Sequence, residues 1–194
     1  MKRLAFFLLL AGLAAGCDDK PTATAPQPHE ITADAIGRYC GMALTEHSGP
    51  KGQIFVAGIA DPIWFSSVHD AIAFTLLPEE PKDIAAIYVT DIGKASNWEA
   101  PEPGSWIDAK KAWFVIGSGR TGGMGGAELV PFGKEAEANG FAAREGGRVV
   151  RFDQIPRDYV LDEGPAPAMR NSGSGTTRGG DPTSDGLGAP THQH

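Results

Sequence analysis

The hydrophobic positions between residues 53 and 155 repeat one order of elements twice. In the first pass, short runs of β-branched and aromatic residues predict three strands, over 53–58, 62–67 and 85–90. Apolar residues spaced as on one helix face predict a helix over 68–77, with Ser67 as its N-cap. The first pass is therefore strand, strand, helix, strand.

The second pass gives the same order further along the chain. It predicts strands over 112–117, 127–132 and 148–153, and a helix over 134–143. An offset of 67 residues aligns three pairs of similar side chains: Phe65 with Phe132, Asp70 with Glu137, and Phe74 with Phe141. The alternative is a chance recurrence of simple patterns. We predict an α+β fold of two related ββαβ modules, which should pack together because cores of roughly 60 residues are marginal.

The N-terminus has the pattern of an export signal. Lys2 and Arg3 precede a short apolar run that ends at Leu13-Ala-Ala-Gly-Cys17. The run is too short for a bilayer of about 30 Å, so we expect a signal peptide over 1–16. Its ending resembles a bacterial lipobox, in which Cys17 receives the lipid; the alternative is an ordinary signal peptide with a chance cysteine. By a bacterial sorting rule, Asp18 favours the periplasmic face of the inner membrane.

Composition divides the rest of the chain. Residues 17–30 hold three prolines and no large apolar side chain, which predicts a disordered tether. The predicted modules occupy 31–95 and 96–162, and the Gly, Ser, Thr and Pro residues of 163–194 predict a disordered tail. Loss of the signal peptide, with its two basic residues, takes the formal charge from −7 to −9. No basic patch suits nucleic acid, and we exclude that class of partner.

The cysteine count isolates one thiol. The chain has two cysteines, and lipidation consumes Cys17, so Cys40 has no partner for an intramolecular disulfide. A free thiol in an oxidising compartment calls for a chemical explanation.

Soft metal donors cluster around this thiol. If the segment is extended, the side chains of Cys40 and Met42 point to the same face. Thiolate and thioether sulfur together favour copper(I) over zinc or magnesium. His47 follows five residues later and adds an imidazole. A single cysteine does not suit a closed structural zinc site.

Met124 is a further donor in a glycine-rich loop. Two glycines precede it and two follow it, so it has no apolar neighbours to fill a core. We expect a flexible loop that could swing Met124 over Cys40.

Each candidate also has an ordinary structural interpretation. Cys40 could be a small buried hydrophobe, Met42 a core residue and His47 a solvated loop residue. We treat His69 as structural or incidental. The terminal His192 and His194 could scavenge copper or be accidental.

Four unusual strings carry a family resemblance over residues 29–162. They are the segments 39–55, 62–67, 76–84 and 122–128, which include Tyr-Cys-Gly-Met and Gly-Gly-Met-Gly-Gly-Ala-Glu. They resemble the NosL family of copper-binding lipoproteins. The resemblance implies two ββαβ domains similar to those of organomercurial lyase. It also implies a periplasmic copper(I) chaperone, not an enzyme, serving the copper-sulfide centre of nitrous-oxide reductase. By motif, Cys40 and Met124 carry over as copper ligands, with Met42 and His47 in support.

Two other functions remain open. Cys40 could be the nucleophile of an enzyme related to organomercurial lyase, with His47 or Arg38 lowering its pKa, although no resolving cysteine accompanies it. The chain could instead be a structural lipoprotein that docks a partner. We expect a monomer attached to the membrane through Cys17.

Overall fold

Two antiparallel sheets make up the framework of the protein, in a computed structural model that describes residues 25–95 and 97–161. The strands are β1 (Gly52–Val56), β2 (Ile63–Phe65), β3 (Ile84–Thr90), β4 (Trp106–Asp108), β5 (Trp113–Ile116), β6 (Val130–Phe132) and β7 (Arg148–Arg151). The first sheet has the order β2-β1-β3-β4 and the second β6-β5-β7. The predicted signal peptide, the lipidation site and the C-terminal tail lie outside the described residues.

The repeat predicted from the sequence is confirmed. In each sheet the first strand of the module is flanked by the second and third strands, and a helix connects those two. These helices are α1 (Val68–Leu76) and α2 (Glu135–Glu145). The equivalent pairs Phe65–Phe74 and Phe132–Phe141 both pack with ring centroids 5.3 Å apart. The offset of 67 residues therefore aligns true structural equivalents.

The two modules share one hydrophobic core. Phe114 and Ile116 on β5 join Phe65 and Phe74 of the first module in the larger cluster of buried residues. Val115, on the opposite face of the same strand, packs in a smaller cluster beneath α2. Because β5 is buried on both faces, neither module has a complete core without the other.

Two elements differ from the sequence prediction. The short strand β4 extends the first sheet past residue 95, where the boundary between modules was placed. A further short helix, α3 (Arg157–Leu161), follows β7 and packs against α1. Both are too short to show a clear hydrophobic period.

The end of the predicted tether is held on the first sheet. The Tyr88 hydroxyl donates to the Pro26 carbonyl at 2.7 Å. The His29 amide donates to the Gln53 side chain at 2.9 Å, and that side chain donates back to the His29 carbonyl at 2.9 Å. The folded part therefore begins before residue 30. Among the residues described, no helix has the length and apolar run needed to cross a membrane.

Candidate metal centre

Cys40 and Met42 lie on a closed turn, and the extended segment predicted there is wrong. The Gly37 amide donates to the Met42 carbonyl at 2.9 Å, and the Gly41 amide donates to the Gly37 carbonyl at 2.9 Å. Gly41 has a φ of 67°, a conformation that glycine adopts without steric cost. The Cys40 thiol lies 4.0 Å from the Met42 carbonyl oxygen. The turn, and not strand alternation, sets the relative position of the two side chains.

The chain before Cys40 is fixed to the first module by β2 and by Glu80. The Arg38 amide donates to the Trp64 carbonyl at 2.8 Å, and the Tyr39 ring packs edge-on against Phe65. The Glu80 carboxylate accepts from the Tyr39 hydroxyl at 3.1 Å and from the Arg38 guanidinium at 3.4 Å. Burial, followed by the Glu80 charge, raises the pKa of the Tyr39 phenol, so this hydroxyl remains a donor.

Both candidate methionines are exposed. Met42 is 42% exposed and Met124 is 58% exposed, whereas Cys40 is half-buried. A methionine that served only to fill a core would be buried, so the core interpretation of Met42 is wrong. Two thioethers and one thiol thus lie where an arriving ion can reach them.

Met124 is carried at the tip of a hydrogen-bonded turn. The Gly122 amide donates to the Gly126 carbonyl at 2.9 Å, and the Gly125 amide donates to the Gly122 carbonyl at 2.8 Å. Met124 borders a shallow pocket of about 40 Å³ together with His69 and Asp70, at the start of α1. The structure therefore brings His69, which the sequence suggested was structural, next to a candidate ligand.

His47 is buried beneath the Met124 turn. It is only 8% exposed, and its Nδ1 lies 3.0 Å from the Gly123 carbonyl oxygen. Because a carbonyl only accepts, Nδ1 carries the hydrogen in this contact. Within the described part of the chain, Nε2 of the same ring is buried and has no hydrogen-bond partner. Nε2 is therefore the only atom of His47 that remains for a metal.

Ser66, directly after β2, joins the two turns. A methyl group added at Gly37 would lie 2.6 Å from Cys40 Sγ and 3.7 Å from Ser66 Cβ. One added at Gly123 would lie 3.0 Å from the Ser66 carbonyl oxygen. The turns that carry Cys40 and Met124 thus approach each other across one residue, although 83 positions separate Gly123 from Cys40 in the sequence.

A buried carboxyl lies below the Met124 turn. Glu128 Oε1 accepts from the amides of Val68, His69 and Leu129 at 3.1, 3.0 and 2.9 Å. Glu128 belongs to the second module and therefore provides, across the modules, a hydrogen-bond acceptor for two amides at the start of α1. Burial raises the Glu128 pKa from 4.5 to about 8. Burial also lowers the pKa of nearby Lys51 from 10.5 to about 8.

The donor types available restrict the chemistry of this region. Across residues 25–95 and 97–161, no group of three or more His, Cys, Asp or Glu side chains is placed to hold a metal ion. A site around Cys40 would therefore need thioether sulfur. Such a donor set is soft and suits a soft ion.

Sequence reasoning did not identify the residues that support these turns. Glu80 and Glu128 lie about 40 and 90 positions from Cys40, so no local pattern connects them with it. Both nevertheless fall inside the strings that carry the family resemblance, 76–84 and 122–128. The family resemblance was therefore the feature of the sequence that could have pointed to these two residues.

Comparison with known proteins agrees with the fold. The NosL family model matches residues 28–160. The copper-binding lipoprotein NosL of Achromobacter cycloclastes is 44% identical over 162 residues, covering 82% of this chain and 83% of the relative. Its counterpart from Stutzerimonas stutzeri is 34% identical over 168 residues, covering 86% and 84%. The crystal structure of the copper chaperone NosL from Shewanella denitrificans superimposes with a TM-score of 0.63 at 34% identity, covering 68% of this chain and 96% of that one. The chain therefore belongs to the NosL family, as the resemblance indicated.

Proposed function

We propose that this protein binds one copper(I) ion through Cys40, Met42 and Met124 and delivers it to nitrous-oxide reductase. The observation that carries the proposal is that two thioethers are exposed, that of Met42 on the same turn as the free thiol and that of Met124 on a turn that approaches the same residue, Ser66. The names of the relatives, copper-binding lipoprotein and copper chaperone, support copper as the cargo. The recipient enzyme rests on what the family resemblance implies.

The chemistry of the donors supports the reduced ion. One thiolate and two thioethers bind copper(I) without the hard ligands that zinc or magnesium prefer. The thiolate charge balances that of copper(I), so the bound ion would add no net charge at this surface. Exposed ligands also suit a cargo that another protein must remove.

The surroundings of Cys40 favour binding over catalysis. A nucleophilic cysteine needs a nearby base or a free cation to lower its pKa. The Arg38 guanidinium is paired with Glu80, and His47 Nδ1 is bonded to the Gly123 carbonyl. Arg38 is therefore not a free cation, and only Nε2 of His47 could act as a base. Because lipidation of Cys17 leaves no second free cysteine to resolve an intermediate, we propose a protein without turnover. His47, the fourth residue of the predicted ligand set, could reach copper only through Nε2.

We propose that a lipid on Cys17 holds the protein at the periplasmic face of a membrane, with Asp18 favouring the inner membrane. The relatives named as lipoproteins support this placement. Cys17→Ser should move the protein from the membrane fraction to the soluble fraction, with copper binding by the folded part unchanged. Equal membrane association of the two forms would contradict the anchor.

An anaerobic titration with copper(I) against a competing chelator tests the cargo. We expect one ion per chain, binding that is largely lost in Cys40→Ala, and weaker binding in Met42→Leu and Met124→Leu. Met169→Leu is the matched control, because Met169 belongs to the tail and not to the proposed site. Unchanged copper(I) affinity in Cys40→Ala would refute the proposal.

A transfer experiment tests the recipient. Copper-loaded protein is mixed anaerobically with copper-free nitrous-oxide reductase, and the two are separated and assayed for copper. We expect copper to move to the enzyme faster than it moves to an unrelated copper-free protein. Equal transfer to both proteins would contradict nitrous-oxide reductase as the specific recipient. It would favour a copper carrier that serves several recipients.

A further inference from the structure

Gly122 and Gly123, the two glycines before Met124, lie in close contact with the first module and with Glu128, and loop flexibility is not their main role. A methyl group at Gly123 would lie 2.7 Å from His47 Cβ and 3.0 Å from the Ser66 carbonyl oxygen. One at Gly122 would lie 2.3 Å from Glu128 Oε2 and 3.1 Å from Ser67 Cβ. Neither glycine has a positive φ, so close approach explains their identity and backbone conformation does not.

The contacts below the turn come from a different part of the sequence. His47 and Ser66 belong to the same module as Cys40, and both contact Gly123. The hydrogen bond from His47 Nδ1 to the Gly123 carbonyl also fixes the orientation of the peptide plane next to Met124, because hydrogen bonds are directional. The backbone of the turn is therefore fixed relative to the chain that carries Cys40.

We infer that Gly122, Gly123 and His47 are positioning residues that hold Met124 next to the Cys40 turn before copper arrives. The inference rests on the proposed function of the site. Its physical basis is preorganisation, because a donor already in place loses less conformational freedom when the ion binds. His47 acts through its Nδ1 hydrogen bond, in the way that second-sphere partners orient metal ligands.

Gly123→Ala tests the contact. The added methyl group forces the turn away from His47 and Ser66, and Met124 moves with it. We expect copper(I) affinity to fall roughly 10- to 100-fold, the range typical for loss of a supporting partner. Gly119→Ala is the matched control in the same glycine-rich loop, because its methyl group meets only one atom, at an ordinary 3.8 Å.

Two readouts separate positioning from a general loss of structure. X-ray absorption of the copper-loaded protein should give one sulfur ligand fewer in Gly123→Ala, as in Met124→Leu. The double variant Gly123→Ala/Met124→Leu should bind copper(I) no more weakly than Met124→Leu alone, because Gly123 acts through Met124. Urea unfolding of the copper-free proteins reports whether Gly123→Ala folds. If it does not fold, Gly122→Ala provides the same test of the contact.

His47 variants test the hydrogen bond. His47→Ala removes the donor, whereas in His47→Asn the side-chain amide can take the place of Nδ1 but offers nothing in place of Nε2. We expect His47→Asn to recover most of the affinity that His47→Ala loses. Equal losses in both variants would overturn the inference and make Nε2 a copper ligand.

The outcomes also separate this inference from the proposed function. If Met124→Leu binds copper(I) as tightly as the unmodified protein, the proposed ligand set fails. If Met124→Leu weakens binding but Gly123→Ala behaves like Gly119→Ala, the ligand set stands and the positioning inference fails.

Discussion

The stability of the protein should fall as the pH rises towards the pKa of the buried Glu128 carboxyl, whereas most carboxyl groups stabilise a protein as the pH rises. The variant Glu128→Gln isolates this effect. Its Oε1 accepts three backbone amides, and a glutamine side chain can keep those hydrogen bonds through its carbonyl oxygen. Oε2 is buried without a hydrogen-bond partner among the described residues. The substitution therefore removes the ionisable group while largely preserving its shape and its main contacts.

The magnitude follows from the pKa. Burial raises the Glu128 pKa from 4.5 to about 8, so between these values the folded protein holds a proton that the unfolded chain has released. Stability from this group is present below pH 4.5 and is lost as the pH rises through about 8. The slope is about 1.4 kcal/mol per pH unit, which amounts to about 4 to 5 kcal/mol across the window. Lys51 acts in a separate window, because its pKa is lowered from 10.5 to about 8 and its contribution to stability grows above pH 8.

Urea unfolding followed by tryptophan fluorescence, at several values from about pH 5 to about pH 8, measures the effect. The free energy of unfolding of the unmodified protein should fall relative to that of Glu128→Gln as the pH rises. A constant difference between the two proteins, or one that changes in the opposite direction, would refute the reasoning. Effects common to both proteins, including titration of ionisable groups remote from Glu128, cancel in this difference.

The other predictions concern the shared core and the start of α1. Phe114→Ala should destabilise the protein by about 3 to 5 kcal/mol, since the side chain is fully buried between the modules. Ile59→Ala is the control: Ile59 is 53% exposed, and its loss should cost no more than about 0.5 kcal/mol, so equal effects would contradict a shared core. Ser67→Ala should cost about 1 kcal/mol, because its hydroxyl accepts from the Asp70 amide at 3.0 Å. Ser67→Thr should retain most of that stability, and an unchanged midpoint for Ser67→Ala would exclude the cap.

The repeat shows how much of the fold could be predicted from sequence. Strand and helix periods depend on neighbouring residues, so the order of elements and the equivalence of Phe65 with Phe132 were visible in the chain. The cap at Ser67 was equally local. The short strand β4 was not visible, because three residues become a strand only when β3 provides its hydrogen-bond partners.

In the candidate site, too, some features could be predicted from the sequence and others could not. Residue chemistry alone singled out Cys40, Met42 and Met124, because a lone thiol and methionines without apolar neighbours are unusual wherever the fold places them. Local sequence did not reveal that Gly41 closes a turn through the Gly37 and Met42 backbone. Alternation along a strand was therefore the wrong basis for placing the two side chains on one face.

The sequence by itself determined the order of the elements, the internal repeat and the soft donors. Only the tertiary structure decided that His47 lies buried under Gly123 and that Glu80 and Glu128 support the two turns. The physical reason is distance along the chain. These contacts join residues about 40 to 80 positions apart. The Glu80 contact forms when the first module folds, and the contacts of His47 and Glu128 form only when packing of the two modules brings their loops together.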